Sequence, residues 1–349
     1  MKNFIEYITI SNFKSIRGLK MEGLSRINLL VGKPNVGKSN ILEALGIFSL
    51  PYLKYYSKKK ISNFIRFENK NEIFFDGKNE NPISLKSNIG EYIVSTEGYI
   101  NQPAPHGQNT RLHLLESYLG TLIFKIKIAN LDYSVSVGNK GEIEFIGNIK
   151  EGDIPVKLYL FKQHNNSSKD KRNYLLPPSG VNLMDIIQNI PNLKNEIVNL
   201  FEEYNLNLLF DRADENLRIT KPPQKGEIFS IPYHSIADTL QRVIFHKTAI
   251  ASNRNSVLIF EEPEAHAFPP YISHITQEII DSKSNQFIFS THSPYVLNDF
   301  LENARDELSI FMVDYKNGET VANKLTKEDL DDIYGYGIDL FTNYETFLK

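Results

Sequence analysis

Eight residues near the start of the chain, Gly32-Lys33-Pro34-Asn35-Val36-Gly37-Lys38-Ser39, form a glycine-bounded loop that closes on Lys-Ser, and they constrain the fold more than any other stretch of the 349 residues. The apolar run Ile27-Asn28-Leu29-Leu30-Val31 leads into the loop as a buried strand would, and Asn40-Ile41-Leu42-Glu43-Ala44-Leu45 follows with good helix formers. A strand, loop and helix in this order aim backbone N–H groups and a helix N-terminus at one point, and a polyphosphate is the matching ligand. On this reading Gly32, Asn35, Val36 and Gly37 shape the cradle for ATP. Lys38 reaches the β- and γ-phosphates, and the Ser39 hydroxyl ligates Mg2+. The competing reading is a glycine-rich turn with no ligand.

Composition narrows what such a chain does. A hydrophobic share of 41% with 23% charged residues describes a soluble globular protein large enough for an ample core. No apolar run approaches the ~20 residues of a membrane span, and the N-terminus lacks the apolar core of a signal peptide, so a cytoplasmic protein without membrane contact is expected. The absence of cysteine excludes disulfides, zinc-thiolate sites and thiol catalysis. A net charge of −3 gives no global reason for nucleic-acid binding. The short basic clusters Lys58-Lys59-Lys60 and Lys169-Asp170-Lys171-Arg172 read first as solvated loop charge, with nucleic-acid contact left open but not indicated.

Along the chain, residues 1–50 hold two strands, with a turn at Gly18, and then the phosphate loop and its helix. Residues 51–165 are β-rich, with runs such as Glu72-Ile73-Phe74-Phe75, Leu122–Ile128 and Tyr133–Val137 whose alternation predicts antiparallel strands with one wet face. The segment Asn101–Gly107 is predicted to be a loop. Residues 166–226 form a helical lobe, with helical spacing over 182–206 entered through Pro177-Pro178-Ser179-Gly180. Residues 227–349 hold a helix near 236–250, strands at Ser256–Phe260 and Gln286–Ser290, a strand near 308–313 and a short acidic helix after Thr326.

A phosphate loop needs a carboxylate at the end of a buried strand for the Mg2+ shell, and Val257-Leu258-Ile259-Phe260-Glu261-Glu262 supplies one. Glu261 stands where the metal-coordinating acid belongs, and Glu262 is placed to polarise the attacking water as general base. Two exposed acids after a core strand are the alternative. A further strand ends in Ser290-Thr291-His292-Ser293-Pro294, where His292 can hydrogen-bond a γ-phosphate and sense its loss; a strand-end histidine can also be merely structural.

The loop, Glu261-Glu262-Pro263-Glu264 and Thr291-His292-Ser293-Pro294 together resemble the AAA-family ATPases of ABC type in the SMC, RecF and OLD lineage. So do Asn12-Phe13-Lys14-Ser15, Asn40, Pro178–Leu183 and Gly337–Phe341, so the resemblance spans nearly the whole chain. It implies a single ABC-type ATPase head of α/β class: a P-loop fold with a mixed central sheet, an antiparallel β lobe and a helical lobe. It adds Lys14 and Asn40 to the nucleotide site and makes Gln163 the candidate for a further Mg2+ contact, with an ordinary loop glutamine as the alternative. It implies that two heads sandwich two ATP molecules, each site being completed by a signature segment of the opposite head. The matching segment is His234–Leu240, with Ser235 facing a partner's γ-phosphate or serving as a helix N-cap. The family's signature glycine is missing there, Glu261 replaces the usual aspartate, and Phe268 replaces a frequent histidine at the implied dimer interface. By resemblance no nuclease domain is expected, and the likeness extends to the ATPase subunits of PARIS-type anti-phage systems, which hold a toxic nuclease encoded by a neighbouring gene. The functions implied are a slow ATPase that senses and scaffolds for such an effector, a RecF-like DNA-binding repair ATPase, or a nucleotide-locked scaffold.

Overall fold

The computed structural model describes residues 3–56, 59–96, 121–138, 141–147, 154–163, 172–214, 216–222 and 227–348. At its centre the strand that feeds the phosphate loop, β3 (Ile27–Val31), sits inside a six-stranded sheet. From one edge to the other the order is β16 (Glu319–Lys324), β15 (Leu308–Lys316), β3, β14 (Gln286–Ser290), β13 (Val257–Glu261) and β9 (Val156–Tyr159). All neighbours are parallel except the β15–β16 hairpin, so the sheet is mixed. Every residue of β3 and β14 is buried, and this accounts for their unbroken apolar runs: both faces of the sheet are covered. Alternate residues of β13 feed separate cores. Val257 and Ile259 face one, while Leu258 and Phe260 face the other. The second core is closed by α4 (Asp238–Ala251), α5 (Pro269–Asp281) and α6 (Pro294–Asn303).

The first core is closed by a seven-stranded antiparallel sheet in the order β2 (Ile16–Glu22), β1 (Tyr7–Phe13), β4 (Ile83–Ser87), β5 (Gly90–Thr96), β6 (Leu122–Ile128), β7 (Leu131–Val137), β8 (Ile143–Ile146). In β6 the side chains of Leu122, Phe124, Ile126 and Ile128 are buried and the two lysines between them are exposed, the period of two that its sequence predicts. Helix α1 (Lys38–Gly46) lies between the two sheets. The Tyr92 hydroxyl on β5 donates to Ala44 O (2.9 Å) and the Tyr133 hydroxyl on β7 to Phe48 O (3.2 Å). On the other side Ser49 Oγ donates to Val156 O of β9 (2.9 Å).

Several expectations need correction. Strands β1 and β2 pair into the antiparallel sheet rather than standing with the phosphate loop, and the turn between them falls at Lys14 and Ser15, with Gly18 inside β2. Residues 70–77 form two 3-10 turns, and only Phe74 bridges to Phe13, because the chain turns through positive φ at Asp76 (53°) and Gly77 (69°). Strand β9 lies within the range read as the β lobe but joins the central sheet. Pro191 divides the helical stretch into α2 (Leu183–Asn189) and α3 (Pro191–Glu202), since its ring fits only a first helical turn. Residues 207–232 add a small antiparallel sheet of β10 (Asn207–Asp211), β11 (Asn216–Thr220) and β12 (Ser230–Pro232). The helix after Thr326 is α7 (Lys327–Tyr336), started by a capping box between Thr326 and Asp329. The segment Asn101–Gly107 lies outside the described residues.

Candidate functional site

The loop leaves β3 with no room for side chains at two points. A Cβ on Gly32 would stand 2.2 Å from Val313 O of β15, and one on Gly37 would stand 2.1 Å from Thr320 Oγ1 of β16. Gly37 also has φ 104°, and Asn35 has φ 63°, so the loop coils into a cradle that L side chains rarely allow. Gly37 is the N-cap of α1 and supplies no side-chain cap, so the first N–H groups of the helix are left for a ligand. Behind the loop, a chain of polar groups braces it. Asn40 Nδ2 donates to Ser15 Oγ (2.7 Å), Ser15 meets Thr320 Oγ1 (2.7 Å), and Thr320 Oγ1 donates to Val36 O (2.8 Å).

Lys38 curls back over the loop, donating from Nζ to Gly32 O (2.7 Å) and Lys33 O (2.9 Å). Burial lowers its pKa, an effect opposed by the nearby charges of Glu262 and Glu261. Ser39 Oγ donates to Glu261 Oε1, so the loop and the end of β13 meet at one carboxylate. The same Oε1 accepts from Arg66 Nη2 (3.0 Å), and Arg66 Nε donates to Glu43 Oε1 (2.6 Å) on α1. Glu43 is buried and its other oxygen is ion-paired with Lys14. Lys14 thus acts within this array and not on the wall of the cleft.

An open cleft of about 650 Å³ is lined by Pro34, Asn35, Gly37, Lys38, Ser39, Asn40, Arg66, Glu262 and His292. Glu262 holds φ 42° and is anchored by its N–H to Ser290 O (3.2 Å). Its Oε1 lies 3.4 Å from His292 Nε2. Burial, then the charge of Lys38, pulls the His292 pKa below its ordinary value, while Glu262 opposes.

The other expected residues lie apart. Gln163 is exposed beyond β9, on the same sheet edge as Glu261, and is not among the residues lining the cleft. Ser235 is exposed in a 3-10 turn and also lies outside this cleft. It is not the cap of α4: the N-cap position belongs to Ala237, and Asp238 pairs instead with Arg242 one turn on (2.6 Å). Phe268, at the N-cap of α5, is 63% exposed. Two residues at the site escaped sequence reasoning. Arg66 lies in a stretch of 3-10 turns with no periodicity to mark it, and Thr320 lies in a hairpin whose second strand was not anticipated.

The donors present fit Mg2+. Ser39 and Glu261 offer hard oxygen atoms at one point, and Mg2+ takes one or two protein oxygens beside phosphates and water. Lys38 and the loop N–H groups provide the matching charge for phosphates.

A sequence model described as an AAA domain, putative AbiEii toxin, type IV toxin–antitoxin system, matches residues 126–298, a range that begins after the phosphate loop. The chain is 27% identical over 241 residues to the DNA replication and repair protein RecF of Leptospira interrogans, covering 64% of this chain and 63% of that one. An uncharacterized protein of Methanocaldococcus jannaschii is 57% identical over 44 residues, 13% of this chain and 20% of that protein. The chain thus spans less than two thirds of the length of these curated relatives. Among solved structures, an Smc head domain from Pyrococcus furiosus bound to the C-terminal domain of ScpA aligns over 95% of this chain and 99% of its own, at 13% identity and TM-score 0.47. The phosphate loop and the acidic strand end thus meet at one point in a chain that is similar to AAA-domain proteins over residues 126–298 and to RecF over 64% of its length.

Proposed function

We propose that the chain binds Mg2+–ATP in the cleft and hydrolyses it slowly to ADP and phosphate. The observation that carries this reading is the bond from Ser39 to Glu261, which puts the loop and the second motif within reach of one triphosphate. Lys38 and the α1 N-terminus bind and orient the phosphates, and Ser39 and Glu261 hold the metal, which when bound neutralises phosphate charge. Glu262 accepts a proton from the attacking water, and His292, beside Glu262, donates to the γ-phosphate. A glutamate at position 261 in place of an aspartate supports slow turnover. Radiolabelled ATP offered to the protein with and without Mg2+ tests the reading: Mg2+-dependent phosphate release, lost in Lys38→Ala, is expected, and release that Lys38→Ala leaves unchanged overturns it.

Output passes, on this proposal, to a partner through pairs of heads closing on ATP. The exposed Ser235 and Phe268, neither of them used by their own cleft, support pairing with a second copy, and higher homo-oligomers follow by repetition. The resemblance of the sequence motifs to ATPase subunits of anti-phage systems is what speaks for an effector protein, a nuclease, as the partner. The RecF similarity favours a second reading, a DNA-binding repair ATPase. ATP turnover stimulated by DNA with a steep salt dependence selects the RecF-like reading. ATP-dependent copurification with the product of an adjacent gene selects the effector reading. ATP bound without turnover, unaffected by Glu262→Gln, selects a locked scaffold.

A further inference from the structure

Glu264 belongs to no part of the mechanism above, yet it is almost wholly buried beside the cleft. Its Oε1 accepts from Thr291 Oγ1 (2.6 Å) and from the His292 N–H (3.1 Å). Thr291 Oγ1 in turn accepts from Ser293 N (3.0 Å), so its own hydrogen is committed to Glu264. Glu264 Oε2 is buried and has no hydrogen-bond partner among the described residues. A carboxyl group kept in so poor a place is costly, and burial raises its pKa. The turn that carries it is itself unfavourable: Glu262 holds φ 42° and His266 holds φ 62°, a backbone region where L residues are strained. Strain of that kind persists only where surrounding contacts fix it, and Glu264 is the side chain that ties this turn to the end of β14.

We propose that Glu264 is a positioning residue: by holding Thr291 and the His292 backbone it sets the approach of His292 to Glu262. This rests on the hydrolytic reading for its effect on turnover, but not for its effect on the histidine ring.

The test compares Glu264→Leu with Glu264→Gln, which keeps an acceptor oxygen in the same place. Three quantities are measured: the imidazole NMR resonances of His292 without nucleotide, binding of a fluorescent ATP analogue, and the split between kcat and KM. In Glu264→Leu the His292 resonances move and kcat falls at least ~10-fold, as expected for a misplaced reacting group, while analogue affinity and KM stay within about twofold. Glu264→Gln restores the wild-type resonances. If Glu264→Leu folds and leaves the His292 resonances unmoved, the proposal is overturned. Should that variant fail to fold, Thr291→Val decides, since it removes one of the two bonds: moved resonances support the proposal and unmoved ones overturn it. A wild-type protein without turnover would defeat the hydrolytic reading alone, because the resonance comparison still decides on Glu264.

Discussion

Ser39 and Glu261 stand 222 positions apart in the chain, and the serine hydroxyl donates to the carboxylate. One residue lies in the first turn of α1 and the other ends β13, so the contact exists only because β3, β14 and β13 run parallel and deliver their C-terminal ends to one edge of the sheet. Ligand sites of open α/β sheets gather at that edge for the same reason.

Lys38→Ala is expected to keep the fold and lose the nucleotide. Losing one partner of a desolvated charge pair costs ~2 kcal/mol or more, so ATP affinity falls by at least ~30-fold. Isothermal titration checks the affinity, and circular dichroism checks the fold.

Glu262→Gln keeps the size of the side chain and removes its basicity. Turnover is expected to fall ~10²- to 10⁴-fold, the range for loss of a general base, with ATP still bound. Light scattering with ATP is expected to show a larger and longer-lived assembly than the wild type forms. Single-turnover rates equal to the wild type would remove Glu262 from the chemistry.

Thr320→Val changes little volume but takes the hydrogen-bond donor from Val36 O and the partner from Ser15. Leaving that buried carbonyl unpaired costs ~1–3 kcal/mol. A lower melting temperature and weaker ATP binding are expected together, because the brace lies directly under the loop. A drop in melting temperature alone would separate the brace from the cradle.

Lys157 on β9 is fully enclosed, with neutral partners Asn253 and Ser256 and the face of the Tyr174 ring 4.3 Å from its nitrogen. Burial lowers its pKa to about 7. Unfolded, the lysine protonates near 10.5. Between those values the unfolded chain binds the extra proton, so the contribution of this group to stability is complete above pH 10.5 and is lost as pH falls to about 7. Lys157→Met removes the dependence. The stability of the variant relative to wild type is expected to shrink by a few kcal/mol, in order of magnitude, from pH 6 to pH 10 in urea titrations. A difference that stays constant with pH would place an ordinary, hydrated lysine there.

The phosphate loop, the acid pair and His292 were legible because each is a short run of residues fixed to a recognisable apolar strand. What lay between was less so. The Glu72–Phe75 run looked like a strand on apolar content, but Asp76 and Gly77 turn the chain there, and local turn chemistry outweighed it. The membership of β1 and β2 depended on Ile8 and Ile10 pairing with β4, a long-range choice that no local pattern encodes. Arg66 and Thr320 enter the site by the same kind of long-range placement. Ser235 failed as a cap because the chain extends past it and starts α4 only at Asp238.

The Tyr92 hydroxyl holds helix α1, which starts at Lys38, while Tyr133 and Ser49 hold the 3-10 turn that follows it, Ile47–Tyr55, from the two sheets. Tilting the outer sheet therefore bears on the helix that the phosphate loop opens, and displacing that helix bears on the outer sheet. A molecule that grips the far β surface is joined to the phosphate loop through these bonds without touching it.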